Sequence, residues 1–296
     1  MSAPSDAHAS LAEPTSFSLA TWNTFGAAQG ALSAFRGRGA AASHRFEHPE
    51  LLTALEGLDV ACMQELWLAE AVELFSRVPG LRHRIVAKNS VTLWPLTIGG
   101  SGLGVASRYP IVTSEMRDFS RPHVGAERFA RKGMAHARIR MGSSEVDVIT
   151  THMQAGYGDG ARTVRRRHLN ELRAFADERG SPERPLVVCG DLNIDGLGHV
   201  REREYTSILD AFADYTDIFE DHDLPTFHTE ENTLARRFEP DSPAQRIDYV
   251  LVRASGKSLR VLHKDLLFQK AFTGRGERES VHASDHYGLH VRFGFD

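Results

Sequence analysis

Residues 186–194, LVVCGDLNI, leave a chain few choices of architecture. Leu186, Val187, Val188 and Cys189 form a short unbroken apolar run, the kind that makes a fully buried strand. Gly190 ends the run, and a carboxylate (Asp191) and an amide (Asn193) follow two apart. Side chains two apart share a face wherever the chain stays extended, so both are expected to converge at the rim of a rigid sheet. An acceptor beside an amide at the mouth of a core suits a metal-bound phosphate or an attacking water. The plainer alternative is a buried strand running into an Asp/Asn turn.

The pattern recurs along the whole chain. Residues 17–22 lead to Asn23, residues 60–63 to Gln64 and Glu65, and residues 146–151 to His152. Residues 245–252 carry Arg246 and Asp248, and Ser284, Asp285 and His286 stand just before a last alternating run at 289–295. Site residues drawn from both ends require the chain to close on itself, so residues 17–296 are expected to form one domain behind a leader at 1–16. The 41% hydrophobic content is enough for a sizeable core. A net charge of -4 gives no overall attraction for polyanions, which argues against a nucleic-acid partner. Cys62 and Cys189 lie in apolar runs and read as small buried hydrophobes, a bond between them remaining open. No run reaches membrane-span length, and the first residues lack the basic and apolar regions of a signal peptide. A cytoplasmic location follows, unless a signal was removed.

Leu51, Leu52, Leu55 and Leu58 fall on one helical face behind Pro49, and residues 68–78 form a second helix stopped by Pro79 and Gly80. Residues 26–42 read as a flexible loop. Residues 83–87 and 103–107 read as strands, with an apolar loop at 88–102 carrying Trp94 between them. Residues 132–140 and 145–151 alternate and read as a hairpin. Residues 163–178 make the clearest helix, with Val164, His168, Leu169, Leu172, Phe175 and Ala176 on one side and Arg165, Arg166 and Arg167 mostly on the solvated other. Tyr205, Ile208, Leu209 and Phe212 mark a further helix. Strands and helices in irregular alternation imply an α/β (α+β) chain with sheets covered by helices on their outer faces.

The order Asn, Glu, His, GDxN, RIDY, SDH resembles the endonuclease/exonuclease/phosphatase superfamily of metal-dependent phosphoesterases, across residues 17–295. The resemblance implies a four-layer sandwich, two mixed β-sheets packed face to face and flanked by helices. Hydrolysis of a phosphodiester needs a cation to take up charge, a base for the water and donors for the developing negative oxygens. Magnesium takes oxygen ligands and only one or two carboxylates, so Glu65 of ACMQE with Asn23 fits it, manganese or another divalent cation being able to substitute. His286 is the candidate base, its imidazole able to hold or release a proton near neutrality. A base histidine needs a carboxylate to fix its tautomer. The resemblance gives that part to Asp248, with Asp285 either its rival or near the metal. His152 would meet the phosphate from the other side, while Asp191 and Asn193 orient water and phosphate. Lys132 and Arg246 complete the set as substrate-binding cations.

Several stretches resemble the neutral sphingomyelinase branch: GSGLGVASRYPI (100–111), RKGMAHARI (131–139), THMQAGYG (151–158) with VRRRHLNELRAF, QRIDYVLV (245–252) and SDHYGL (284–289). In that branch the lysine before glycine, here Lys132, is implicated in the catalytic site, and an acidic residue takes part in a switch with it. Here the acid at similar spacing is Glu127 where well-known members have Asp. The resemblance implies a phosphodiester substrate with a lipid head group. Exported relatives carry a signal that is not seen here, so a soluble phosphodiester is a second substrate class. A DNA-acting nuclease of the abasic-site type is a rival, but such enzymes carry a tyrosine-bearing loop in place of THMQAG and a basic face. A catalytically inactive binding module on the same fold is the rival from another class. The presence of Glu65, Asp191, Asn193 and His286 together argues against it.

Overall fold

The computed structural model describes residues 14–26, 44–88, 91–93, 96–98, 100–125, 127, 131–199, 204–253, 258–273 and 280–296. Two six-stranded sheets organise them. The first runs β13 (Leu259–Leu267), β14 (Gly288–Phe295), β1 (Ser16–Asn23), β2 (Val60–Gln64), β6 (Gly104–Ser107), β3 (His83–Val86). The second runs β11 (Tyr215–Asp217), β12 (Asp248–Arg253), β10 (Leu186–Asp191), β9 (Ser144–His152), β8 (Gly133–Met141), β7 (Ile111–Asp118). Each sheet is mixed, with one parallel pair at its heart, β1 beside β2 and β10 beside β9.

Alternation along the strands builds the layers. In β2, Val60 and Cys62 enter the core between the sheets, while Ala61 and Met63 face outward to helices. In β10, Val187 and Cys189 face the same inter-sheet core, and Leu186 and Val188 face the opposite way. Strands buried on both faces read as continuous apolar runs, which is why residues 186–189 show no polar alternation. Outside the first sheet lie α1 (Pro49–Glu56) and α2 (Ala69–Arg77), burying Leu51, Leu55, Leu74 and Phe75. Outside the second lie α3 (Asp159–Arg179) and α4 (Tyr205–Ala211), burying Leu169, Leu172, Phe175 and Ile208. Four layers result, as expected.

The chain departs from its sequence reading in a few places. Within residues 88–102, Val91–Leu93 (β4) and Leu96–Ile98 (β5) pair as a short antiparallel hairpin, not a featureless loop. Trp94, most of the 26–42 loop and the leader as far as residue 13 lie outside the described residues. Gly190 continues its strand instead of ending it, at φ +128°, where an added Cβ would fall 2.1 Å from the Thr151 carbonyl oxygen. Only glycine fits that backbone and that approach. Cys62 and Cys189 are free thiols buried in the inter-sheet core. Among the described residues, no helix is long and apolar enough to cross a membrane.

Candidate active site

Both parallel pairs end at the same rim. Asn23 closes β1 opposite Gln64, and Glu65 follows β2 directly; Asp191 closes β10 with His152 of β9 on one side and Asp248 of β12 on the other. The Asn23 amide nitrogen donates to Asp191 Oδ2 at 2.9 Å and to Glu65 Oε1 at 3.3 Å, joining residues 168 and 42 positions apart. His286 Nδ1 sits 2.9 Å from Asp248 Oδ2, and its Nε2 lies 4.0 Å from Asp191 Oδ2 and 3.9 Å from Asp285 Oδ1. Across the cleft, His152 Nε2 lies 3.3 Å from Asp191 Oδ2 and 3.8 Å from Glu65 Oε1. Lys132 Nζ approaches the same nitrogen more closely, at 2.6 Å.

The backbone around these groups is held in an unusual state. Phe25, Glu65 and Asn193 line the cleft, and all three adopt positive φ, at 51°, 58° and 54°. Non-glycine residues persist there only where their surroundings over-determine them. Phe25 donates its N–H to Asn23 Oδ1 at 2.9 Å, and its carbonyl accepts from the buried Arg45 at 2.6 Å. The Glu65 carbonyl accepts from Thr24 Oγ1 at 3.1 Å and from Trp67 N–H at 2.7 Å. Asn193 donates its N–H to Asp191 Oδ1 at 2.8 Å, an Asx turn, so the extended alternation expected of this pair does not hold. Both residues line the cleft even so, because the turn folds Asn193 back and its amide donates to the Met153 carbonyl at 3.2 Å.

Electrostatics follow from crowding. Burial raises the Asp191 carboxyl, but His152, His286 and Lys132 outweigh it and hold the group well below the usual carboxylate range. Burial lowers the His286 imidazole, and Asp248, Asp285 and Asp191 more than reverse this, raising it well above its ordinary value. Asp285 is pushed up to about 7, by burial first and then by Glu65, against the pull of His286 and Arg45. A carboxyl forced toward neutrality beside two others is short of positive charge. Asp191, Asp248 and His286 also present donor atoms within 4.8 Å of one another. Asp248 and His286 are engaged with each other, and Glu65, Asp191 and Asp285 set hard oxygens beside them in the cleft. That donor set fits a divalent cation of the magnesium class.

Of the other expected cations, Lys132 is fully buried, pairs with Glu127 Oε2 at 2.7 Å and stands 5.8 Å from the centre of the Trp67 ring. Arg246 is turned away. Its guanidinium pairs with buried Asp217 at 2.9 Å and lies over Tyr249, 4.7 Å from the ring centre. It precedes β12 and faces the helical side, so it braces the turn after Asp191 instead of reaching substrate.

The sequence reading missed several cleft residues. Arg165, assigned to a solvated helix face, is buried, pairs with Glu204 through two bonds of 2.7 and 2.9 Å, and donates to the Gln154 and Gly156 carbonyls. Ala161 and Leu169, four residues to either side, are apolar, a signal that this arc is not polar throughout. Thr226 accepts at Oγ1 from the Ile247 and Asp248 N–H groups, at 3.1 and 3.2 Å, and so sets the Asp248 carboxylate. Tyr157, from the THMQAGYG stretch, completes the wall with Asp195 and Phe227, which carry no motif of their own.

Two face-to-face mixed sheets thus carry an Asn, Glu, Asp and His cluster at their shared rim. The profile of the Endonuclease/Exonuclease/phosphatase family matches residues 20–286, and the chain belongs to that family. Sphingomyelinase C of Bacillus cereus is 25% identical over 182 residues, 56% of this chain and 54% of that protein. The chain thus spans about half the length of the curated relatives it matches there. The crystal structure of sphingomyelinase C from Streptomyces griseocarneus superposes with a TM-score of 0.70 at 25% identity, over 94% of this chain and 99% of that one. The fold alone is shared with D. rerio TDP2 complexed with a single strand DNA product, at a TM-score of 0.71 and 17% identity, over 95% of this chain and 100% of that one.

Proposed function

We propose that the chain is a divalent-metal-dependent phosphodiesterase, sphingomyelinase-like in its choice of a phosphodiester bearing a lipid head group, with magnesium as the ion. The observation that carries this reading is the facing of two half-sites across one cleft. The His286–Asp248 pair stands on one wall, His152 with Lys132 on the other, and Asp191 lies within 4.0 Å of both imidazoles.

Each side chain then has a task. Glu65 and Asp285 would hold the cation, which when bound offsets the negative charge developing on the phosphate oxygens. The Asn23 amide nitrogen fixes the Glu65 carboxylate instead of offering the ligand oxygen the sequence suggests. His286 Nε2 takes the proton from the attacking water, and Asp248 fixes the ring and stabilises the imidazolium that forms. The carboxylates that raise His286 include Asp285 and Asp191, so a cation bound among them brings the imidazole back toward a base's working range. Asp191 and Asn193 orient the water and the phosphate. Lys132 and His152 supply positive charge and a donor to the non-bridging oxygens on the leaving-group side.

Asp195 and Glu239 also line the cleft. Carboxylates there repel a polyanion and suit an alcohol portion that is itself cationic. This favours a zwitterionic lipid head group over DNA. The deciding experiment measures magnesium-dependent turnover of sphingomyelin, a chromogenic phosphodiester and abasic-site DNA side by side, with a chelated control. Turnover of sphingomyelin above the other two supports the proposal. Preference for the DNA, or activity unchanged by chelation, rejects it.

A further inference from the structure

Away from the cleft, three metal-ligating side chains meet on the outer face of the first sheet. β13 is the edge strand, and a bulge shifts its register against β14 between Val261 and His263. Past the bulge Asp265 stands opposite His290, with His263 two residues earlier on the same face. Leu289, Val291 and Phe293 fill the inter-sheet core, so His290 faces the other way. His290 Nδ1 lies 2.7 Å from Asp265 Oδ1, and His263 Nε2 lies 3.4 Å from Asp265 Oδ2. One donor atom from each residue falls within 4.8 Å of the other two. The neighbouring cations are held elsewhere. Lys264 donates to the Ile218 carbonyl at 2.8 Å on the opposite face, and Arg292 donates to Ser16 Oγ at 3.2 Å.

We infer that His263, Asp265 and His290 form a second metal site, one for a transition ion of the zinc class. Two imidazoles with one carboxylate make a donor set for Zn2+, Cu2+ or Ni2+, whereas magnesium seeks oxygens. Ligand atoms separated by roughly 3 Å suit a tetrahedral ion bound at about 2.0–2.1 Å. His290 is half-buried, so its ring is restricted, while exposed His263 leaves the fourth position toward solvent. Bulges often serve to re-aim side chains, and without this one His263 and Asp265 would turn to the inner face. A bound ion ties the edge strand to its single neighbour. The inference stands apart from the phosphodiesterase reading, since the two sites share no residue and select different ions.

Calorimetric titration of Zn2+ into the full chain in excess magnesium tests it, beside a His263→Ala/His290→Ala double variant and Asp265→Asn. All three positions are at the surface, and equal unfolding temperatures without zinc check that the variants fold. The full chain is expected to bind one more zinc per molecule than the double variant, and Asp265→Asn to bind it on the order of tenfold or more weakly. Zinc should raise the unfolding temperature of the full chain and leave the double variant unmoved. Equal zinc stoichiometry and affinity in the double variant overturns the proposal. Loss of that zinc on Glu65→Gln also overturns it, by placing the ion in the cleft.

Discussion

Glu127 Oε2 lies 2.7 Å from Lys132 Nζ, so the acid five residues upstream reaches the buried lysine with the longer glutamate side chain. The lysine in turn meets His152 Nε2 at 2.6 Å. Glu127 lines the cleft, and the pair therefore links substrate space to the His152 wall.

If Lys132 supplies charge to the phosphate, Lys132→Met should lower kcat by about 10²–10³-fold, the loss seen on removing one preorganised donor. Glu127→Gln should cost less, because it leaves the charge in place and only frees it to move. Steady-state kinetics on a chromogenic phosphodiester checks both. Equal effects on the two would mean that the pair acts only as a structural unit.

His286→Ala should reduce turnover by about 10²–10⁴-fold with the fold intact. Asp248→Asn should lower kcat as well, since it removes the carboxylate that sets the ring 2.9 Å away. Thermal unfolding of each variant separates lost chemistry from lost structure. Wild-type turnover in His286→Ala would remove the base from the mechanism.

Removal of divalent ions should abolish activity, and magnesium should restore it. Glu65→Gln should raise the magnesium concentration needed for half-maximal activity, because a carboxylate assigned to the cation is neutralised. Direct titration of magnesium, followed calorimetrically, distinguishes weaker ion binding from slower chemistry.

How much of this was open to a reader of the sequence depended on whether a residue's task lay along its own strand. Asn23, Glu65, His152 and Asp191 each end or directly follow a buried strand, so an apolar run pointed at them. Asn193 was located for the wrong reason, since the Asx turn at φ +54° replaces the extended geometry that alternation assumes. Arg246 departs from the role its motif suggests because Asp217, its partner 29 positions away, lies on a strand of only three residues. Arg165 shows the opposite error. A run of three arginines looks solvated, and only the fold brings Glu204 under one of them. β13 carries no strand signal in the sequence because an exposed edge strand with a bulge sets Val261 and Leu262 side by side and breaks the period of two.

Acid should destabilise the protein through His168. Burial first, then the charges of His123 and Arg167, hold its pKa down to about 2 from 6.5. The ring stacks on Phe119 with centroids 4.1 Å apart and stays neutral when folded. Below pH 6.5 the unfolded chain binds a proton there that the folded chain does not. Stability is therefore present above that value and falls as pH drops, by about 1.4 kcal/mol per unit from this group. Between pH 7 and 5 the loss comes to about 2 kcal/mol. Urea unfolding at both pH values should show a smaller difference in His168→Gln than in wild type.

The Arg165–Glu204 pair is the sharpest test of how the cleft is held. Both side chains are buried, so removing one partner leaves the other's charge without its counter-charge in a low-dielectric interior. Arg165→Met or Glu204→Gln alone should then cost about 3–5 kcal/mol, while the double change should cost much less than the sum. The arginine also holds the Gln154 and Gly156 carbonyls, at 3.1 and 2.7 Å, in the segment leading from His152 to Tyr157. Loss of Arg165 should therefore raise KM more than Glu204→Gln does at equal stability, since only the arginine positions that wall. Equilibrium unfolding and kinetics on the same four proteins give both quantities. Additive stabilities, or KM values that track stability alone, would reduce the pair to an ordinary structural contact.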